Sequence, residues 1–506
     1  MKKIMTRLLS LVLLGAFIPS FVLAETWDLG KGDITVTATE TSQTVSQVNG
    51  ETKDDPDPVI TSSGKTENTV TINAETNATA NVTLENVNID TGTRGGAAIT
   101  TSGEGNVNIE LNGTNTVQSD NTHAGVEKKD NGTLTITDEN KDGSLTATGG
   151  NYGAGIGGGY EGSGSNIAIE GGKVKAIGGS HGAGIGGGFG GSGSNIAIEG
   201  GKVEASSVGG GAGIGGGSLG SGSNIAVSGG EVTAQGGVGG AGIGGGQGGS
   251  GSKITISDGK VTATGAGAGA GIGGGYEGSG KGITIEGGEV TAQGDAGGAG
   301  IGGGISGTGS DVTISGDAQV KVQGGTTGRD WHKGAAIGNG GTPTTDGNEV
   351  SPNTSDLKVG GFIQIYEPGK NINTDTPDRT IEGQKGDHSW NAGEVTTAET
   401  VPESKAAAYW VSDSQGQSIP YQAQQKDGVL TVTVQADTAS LRGTTGSLSQ
   451  LEAQGITGIR FVTNRAQSDF TLSDLLTSGT GSFTLTHDGD KITFTLENTD
   501  ISGILK

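Results

Sequence analysis

The central part of the chain repeats one pattern of apolar positions at a fixed interval. An isoleucine inside the sequence GAGIGGG recurs every 29 residues, without insertions. The copies are centred on Ile156, Ile185, Ile214, Ile243, Ile272 and Ile301. Stacked repeats keep a constant length because each copy must match its neighbour, whereas a disordered linker has no such constraint. The pattern therefore predicts a stack of repeating units.

Three short apolar clusters lie within each copy, and each cluster has a period of two. In the first copy they are Ile156, then Ile167 with Ile169, then Val174 with Ala176. Alternation of this kind predicts strands with one buried face, and the glycines between them predict tight corners. We therefore expect an all-β fold, a single-stranded parallel β-helix with coils of about 29 residues. Weaker copies near Ile99, Val126 and Ile337 extend it in both directions.

The N-terminal segment has the pattern of a secretory signal peptide. Basic residues precede an apolar run from Leu8 to Val22, and small residues lead to a predicted cleavage site after Ala24. Residues 1–24 are therefore the predicted signal peptide, and we expect a secreted or cell-surface protein with no membrane span after the signal is removed. Residues 25–58 are predicted to cap the first coil, and residues 59–345 to form the β-helix.

A different kind of sequence follows the repeats. Residues 346–405 are predicted to be a closing strand and linker, and residues 406–506 a small α+β module. The module's expected strands are Leu430–Val434, Gly458–Val462, Phe483–Thr486 and Ile492–Leu496, and its expected helices are Leu448–Gln454 and Leu472–Leu476. Asp488, Gly489 and Asp490 read as a hairpin turn.

Composition and charge narrow the range of partners. The chain has 106 glycines and no cysteine, so its predicted core comes from Ile and Val columns and no disulfide supports it. Its formal charge of −24 argues against nucleic acids and anionic membranes as main partners, because both need clustered basic surface. The negative charge favours solubility, cation binding or a cationic partner. The partner that we expect is an extracellular glycan or a host glycoprotein.

The repeat motif resembles that of a known group of proteins. The stretch GAGIGGG followed by GSGSNIAIEGG is similar to the Gly-rich repeat of secreted and surface β-helix proteins of gut-dwelling Gram-positive bacteria. The resemblance covers about residues 70–345. It implies a β-helix architecture, and some relatives are described as carbohydrate-binding proteins or adhesins.

Several motifs with chemical associations are better explained by the repeat. The GxGxxG matches precede strands rather than a helix, which argues against a dinucleotide loop. A sequence similar to the Ca²⁺-binding nonapeptide carries a carboxylate in only one copy, in the column Asn166, Asn195, Asn224, Lys253, Gly282 and Asp311. No carboxylate cluster with a neighbouring base repeats along the coils, so we predict no catalytic residues. We predict no cofactor and no metal, and Ca²⁺ binding is the alternative.

Two groups of residues are the predicted ligand-binding positions. Arg329, Asp330, Trp331 and His332 lie in an insertion within the last coil, where irregular loops on a rigid scaffold often carry function. A capping loop with Trp331 over the last isoleucine is the alternative. Tyr160, Phe189 and Tyr276 lie four positions after a repeat isoleucine, where aromatic faces can stack on sugars. Stacking that serves only stability is the alternative there.

These observations together predict a non-catalytic, adhesin-like binding protein that recognises a polysaccharide or a mucin-type glycan. Two alternatives stay open. One is a surface factor that binds a host protein such as mucin or secreted immunoglobulin, and the other is a polysaccharide-degrading β-helix enzyme.

Overall fold

The computed structural model describes residues 24–382 and 409–505, except residues 49, 130, 327–331, 355–356, 359, 414–418, 420, 427, 446–450, 452–455, 480–481, 490 and 498. The predicted signal peptide lies outside the described residues apart from Ala24. Two compact units divide the chain, one up to residue 383 and the other mainly from residue 393 onward. No helix in the described ranges is long and apolar enough to span a membrane.

The first unit is a parallel β-helix with three sheets, as predicted. Sheet 1 contains the strands Thr26–Asp28, Val59–Thr61, Thr79–Glu85, Asn106–Asn112, Leu134–Thr137, Gly164–Ile169, Gly193–Ile198, Gly222–Val227, Gly251–Ile256, Gly280–Ile285 and Gly309–Ile314. Sheet 2 contains Asn88–Asp90, Thr114–Gln118, Ser144–Thr148, Lys173–Gly178, Lys202–Ser207, Glu231–Val238, Lys260–Ala266, Glu289–Gln293, Gln319–Gln323, Phe362–Tyr366 and Arg379–Glu382.

Sheet 3 carries the repeat isoleucines. It contains Ile34–Ala38, Gln43–Gln47, Lys53–Asp54, Val70–Ala74, Ile99–Gly103, Val126–Lys128, Ile156–Gly157, Ile185–Gly186, Ile214–Gly215, Ile243–Gly244, Ile272–Gly273, Ile301–Gly302 and Ile337–Gly338. In the regular coils each strand pairs in parallel with its counterpart 29 residues away, so Ile156 lies beside Ile185 and Ile167 beside Ile196. The repeat isoleucines are fully buried and form continuous columns in the core.

Only glycine fits at the position that follows each repeat isoleucine. Gly186 has φ +133°, and a Cβ atom there would lie 2.0 Å from the carbonyl oxygen of Gly215 in the next coil. Gly157, Gly215, Gly244 and Gly273 repeat this arrangement with the corresponding carbonyl. A side chain would therefore clash with the backbone of the neighbouring coil, and the backbone conformation itself disfavours L-residues.

The two ends of the stack are closed in different ways. At the C-terminal end, the Glu349 carboxylate accepts hydrogen bonds from the backbone N–H groups of Ala336 (2.8 Å) and Ile337 (3.2 Å). In earlier coils the same N–H groups donate to carbonyl oxygens of the following coil, as Ile156 does to Gly184. Glu349 therefore takes the place of a further coil. At the other end, Ile34–Ala38 pairs with Val70–Ala74 on one side and with the antiparallel strand Gln43–Gln47 on the other.

The second unit combines two sheets around one core. One sheet contains Tyr409–Ser412, Thr438–Thr444, Ser482–Asp488, Lys491–Leu496 and Thr499–Asp500, and the other Tyr421–Lys426, Val429–Val434, Gly458–Val462 and Gln467–Thr471. The α-helix Leu472–Ser478 begins after Thr471, whose hydroxyl accepts the N–H of Asp474. Short 3-10 helices occur at Leu29–Lys31 in the first unit and Ser502–Ile504 in the second.

The predicted strands of this unit, the second helix and the hairpin at Gly489 are confirmed. The first predicted helix, Leu448–Gln454, lies outside the described residues except for Leu451.

A buried histidine joins the two sheets of the second unit. His487 is fully buried, with Nδ1 3.2 Å from the Thr463 hydroxyl and Nε2 2.9 Å from the Ser468 hydroxyl. Burial lowers the pKa of His487 from 6.5 to about 4, because the charged imidazolium would lose its hydration. The ring is therefore neutral in the folded protein at neutral pH.

Replacing Gly186 by Ala is expected to lower the free energy of unfolding of the β-helix by at least about 3 kcal/mol, because it adds both a steric clash and a strained backbone. Gly64 has open space around its Cα, so Gly64→Ala serves as the control and should change stability by less than about 0.5 kcal/mol. Urea unfolding followed by circular dichroism measures both. Equal effects at the two sites would contradict the close-approach argument.

Acid is expected to destabilise the second unit through His487. Since its pKa is lowered on folding, the stabilisation is complete above the unfolded value near 6.5 and is lost as the pH falls towards 4. The loss at pH 4 amounts to about 3 kcal/mol. Hydrogen exchange of peptides covering Ser482–Asp488, corrected for the intrinsic rate, should follow this curve. His487→Gln should flatten the curve, and an unchanged pH profile in that variant would refute the assignment.

Candidate functional site

The turn after each repeat isoleucine contacts the loop of the coil before it. Tyr160 donates its backbone N–H to the carbonyl of Thr122 (2.7 Å), and Phe189 donates to that of Tyr152 (2.9 Å). Each turn residue is therefore held beside a loop residue from the preceding coil. The corner consequently brings together two columns of side chains that are far apart in sequence.

An aromatic cluster forms where both columns carry rings. It consists of Tyr152, Tyr160, His181 and Phe189. The rings of Tyr160 and Phe189 stack with centroids 5.7 Å apart, and those of Tyr152 and His181 stack at 5.1 Å. The two stacked pairs meet edge to face, with Tyr152 5.5 Å from Tyr160 and 5.8 Å from Phe189. Tyr160, at the N-terminal end of the cluster, keeps 48% of its surface exposed.

A cleft opens beside Tyr160 because the coils change length there. The corner between the strands at Ile156 and Ile167 is three residues longer than the equivalent corner between Val126 and Leu134. The longer turn therefore projects beyond the shorter one. The resulting cleft has a volume of about 630 Å³ and is lined by Thr122, His123, Glu127, Lys128, Lys129, Asn131, Gly159, Tyr160, Gly162, Ser163 and Ser165.

Three polar side chains form a cluster at the cleft, which we call the His–Glu–Lys cluster: His123, Glu127 and Lys129. Glu127 is only 3% exposed and pairs with Gly157 in the register of sheet 3. One of its carboxylate oxygens lies 2.6 Å from His123 Nδ1 and accepts the N–H of Ala124 (3.0 Å). The other lies 2.7 Å from Lys129 Nζ. A buried carboxylate thus holds a histidine and a lysine in fixed positions.

This arrangement can bind polar ligands by hydrogen bonding. The Glu127 carboxylate fixes the orientation of the His123 ring, as carboxylates commonly do for functional imidazoles. Lys129 stays about half exposed and retains donors for a ligand. The hydroxyls of Ser163 and Ser165 line the same cleft.

Tyr160 belongs to both features, since its ring ends the aromatic cluster and also lines the cleft. The negative charge of Glu161, together with a hydrogen bond to that carboxylate, raises the pKa of the Tyr160 phenol. The hydroxyl therefore stays protonated at neutral pH, donates to the Glu161 carboxylate and can still accept a hydrogen bond from a ligand.

The other predicted ligand-binding residues lie elsewhere. Tyr276 is in the same column as Tyr160 and Phe189, but Ser218 and Gln247 separate it from the aromatic cluster. His332 is exposed in the last coil, with Nδ1 3.1 Å from Asp346 Oδ1, about 25 Å along the stack from Phe189. Arg329, Asp330 and Trp331 lie outside the described residues. The prediction of a site in the inserted coil therefore stays a prediction.

Sequence reasoning missed Tyr152, His181 and the His–Glu–Lys cluster. Tyr152 and His181 occupy the position four residues before the repeat isoleucine, where the next copies have Gly210 and Gly239. That column is aromatic in the same two coils as Tyr160 and Phe189, and this coincidence was the available signal. The cluster was harder to find because Glu127 lies in a coil where the repeat motif is weak.

The asparagine column that resembles a Ca²⁺ motif has a conformational explanation. Asn166, Asn195 and Asn224 have φ between 52° and 56°, a left-handed conformation that Asn tolerates better than most residues. Their amides also form a ladder, in which Asn195 Nδ2 donates to Asn166 Oδ1 at 2.8 Å and Asn224 Nδ2 to Asn195 Oδ1 at 2.6 Å. The repeat of Asn is thus accounted for by the fold.

Comparison with known proteins supports the architecture. The family described as Beta helix repeat matches residues 141–160, 167–189, 196–218, 225–247, 254–276 and 283–305. The chain is a parallel β-helix protein. No curated protein and no solved structure is significantly similar to it. The matched segments include Tyr160 and Phe189 but begin after the His–Glu–Lys cluster.

Glu127→Ala is expected to destabilise the coil that carries the His–Glu–Lys cluster by about 2 kcal/mol, because three hydrogen-bonded contacts to a buried carboxylate are lost. Hydrogen exchange in strand Val126–Lys128 measures the effect. Glu170→Ala is the matched control, since Glu170 is an exposed residue of a neighbouring coil and its loss should have little effect. Equal protection in the two variants would contradict the anchoring role of Glu127.

Proposed function

We propose that the protein is a secreted or cell-surface, non-catalytic binding protein that recognises a glycan in the cleft beside Tyr160. The observation that carries the proposal is the junction of an exposed aromatic ring with a polar cleft. The leader-like N-terminus and the absence of cysteine are compatible with an extracellular role for a β-helix.

Sugar rings have an apolar CH face and a rim of hydroxyls, so a glycan site needs an aromatic surface beside hydrogen-bonding groups. Tyr160 offers a half-exposed ring that Phe189 and Tyr152 hold in place. His123 and Lys129 offer donors whose positions are fixed by Glu127. The cleft volume of about 630 Å³ falls in the range of small-ligand sites and is suited to a short oligosaccharide.

A second candidate function, binding the protein part of a host glycoprotein, is favoured by exposed aliphatic side chains on the next coils. Val208, Leu219 and Val238 are each more than 60% exposed; the first two lie on a loop and a turn, and Val238 ends the strand Glu231–Val238. Exposed apolar side chains of this kind can contribute to a protein contact. The two functions are compatible, because a glycoprotein offers both kinds of surface.

An enzymatic role is the third candidate, and the His123–Glu127 pair is the feature that favours it. A carboxylate that orients an imidazole is also found in acid–base catalysis. Incubation with acidic and neutral polysaccharides, followed by measurement of reducing ends and unsaturated products, tests this directly. Product formation that His123→Gln abolishes would overturn the non-catalytic proposal.

The glycan proposal is tested on a glycan array with and without Ca²⁺, followed by titration of the best ligand. Tyr160→Ala is expected to weaken binding by about tenfold, because the stacking surface is lost. Tyr160→Phe should keep most of the affinity, since the ring remains. Tyr276→Ala is the matched control, because Tyr276 has the same neighbouring glutamate but lies outside the cleft.

The outcomes separate the possible sites. Loss of affinity in Trp331→Ala, with none in Tyr160→Ala, would place the ligand at the inserted coil instead. Absence of glycan binding, together with retention of a protein from mucosal fluid that Leu219→Asp abolishes, would favour the second candidate. Equal loss in Tyr160→Ala and Tyr276→Ala would argue against the cleft.

A further inference from the structure

Asp55 is a buried carboxylate at the N-terminal end of the β-helix. Its side chain is 0% exposed. One oxygen, Oδ2, accepts a hydrogen bond from Trp27 Nε1 at 2.8 Å and another from the backbone nitrogen of Glu25 at 3.1 Å. The other oxygen, Oδ1, lies 3.4 Å from the N–H of Asp57. As long as the peptide bond between Ala24 and Glu25 is intact, all three donors are uncharged.

No lysine, arginine or histidine among the described residues forms an ion pair with Asp55. Lys53, two residues away in sequence, pairs with the Glu25 carboxylate at 2.7 Å, and its ammonium lies 5.7 Å from the centre of the Trp27 ring. A buried carboxylate without a cation is costly, because the hydration it loses is not replaced by an opposite charge. Since no basic side chain in the described ranges pairs directly with Asp55, a positive charge on one of its hydrogen-bond donors would stabilise this carboxylate.

The backbone nitrogen of Glu25 is the atom that can become this positive group. Cleavage of the bond between Ala24 and Glu25 would convert its amide into an α-ammonium, which is largely protonated at neutral pH. The small residues before this bond match a signal-peptidase site, and Ala24 is exposed. The nitrogen already lies within hydrogen-bond distance of Asp55.

We propose that Glu25 is the first residue of the mature protein and that its α-ammonium forms a partly buried ion pair with Asp55. The peptide bond is hydrolysed, so a water molecule supplies one oxygen of the Ala24 carboxylate and two protons of the Glu25 ammonium, whose third proton is the former amide proton. The pair then fixes the strand Thr26–Asp28 against Val59–Thr61, and with it the first coil. Removal of the leader thus stabilises the end of the solenoid.

The test compares the chain that starts at Glu25 with the same chain extended by one alanine. Both are prepared from a removable tag that leaves no other residue. Hydrogen exchange of the strand Thr26–Asp28 is expected to be about tenfold faster in the extended protein, because its amide cannot carry the charge. Asp55→Asn should cause a similar loss in the protein that starts at Glu25 and little further loss in the extended one. Asp57→Asn, on the exposed part of the same loop, is the control.

Equal protection of Thr26–Asp28 in the two lengths would overturn the proposal, whatever Asp55→Asn does, because the carboxylate would then serve only neutral donors. A mature N-terminus other than Glu25, found by mass spectrometry of the protein secreted from its own leader, would overturn it as well. If Asp55→Asn fails to fold, the comparison of the two lengths still decides, since both retain every side chain. None of these outcomes depends on glycan binding.

Discussion

Each coil of the solenoid rests on the next at glycine corners where backbone approaches backbone too closely for any side chain. The Gly186 Cα and the Gly215 carbonyl leave no room for a Cβ atom, and the same contact recurs from coil to coil. Because the contact must recur in register, insertions in the regular coils are excluded. The constant 29-residue interval, the buried isoleucine columns and the amide ladder all depend on it.

Side chains that could bind a ligand are found where this regularity begins or ends. The cleft exists because a longer corner at Ile156 follows a shorter one at Val126, and the aromatic cluster follows in the first two long corners. Glu127 can anchor the cluster from a buried position, because its register partner in the next coil is Gly157, which has no side chain. In the uniform coils, contacts between backbones fill the corner, and little space is left there for buried ionisable groups.

How much of this structure can be predicted from the sequence depends on the same regularity. The strands, their register and the buried face could be predicted, because the apolar period repeats without interruption from Ile156 to Ile301. The contact of Tyr152 with Phe189 could not, because it depends on how a loop of one coil meets a turn of the next. The contact of Glu127 with His123 could not either, because it is a local bend in a coil where the repeat motif is weak. From the sequence, Asp55 could likewise be recognised only as one residue of an acidic loop. Its burial against Trp27 required the fold.

The carboxylate of Glu349 has a consequence for assembly. By accepting the N–H groups of Ala336 and Ile337, it occupies the donors that a second rod would need for end-to-end growth. A parallel stack with free donors can elongate without limit, as fibrils do. One side chain therefore helps to keep a highly repetitive, glycine-rich sequence as a particle of finite length.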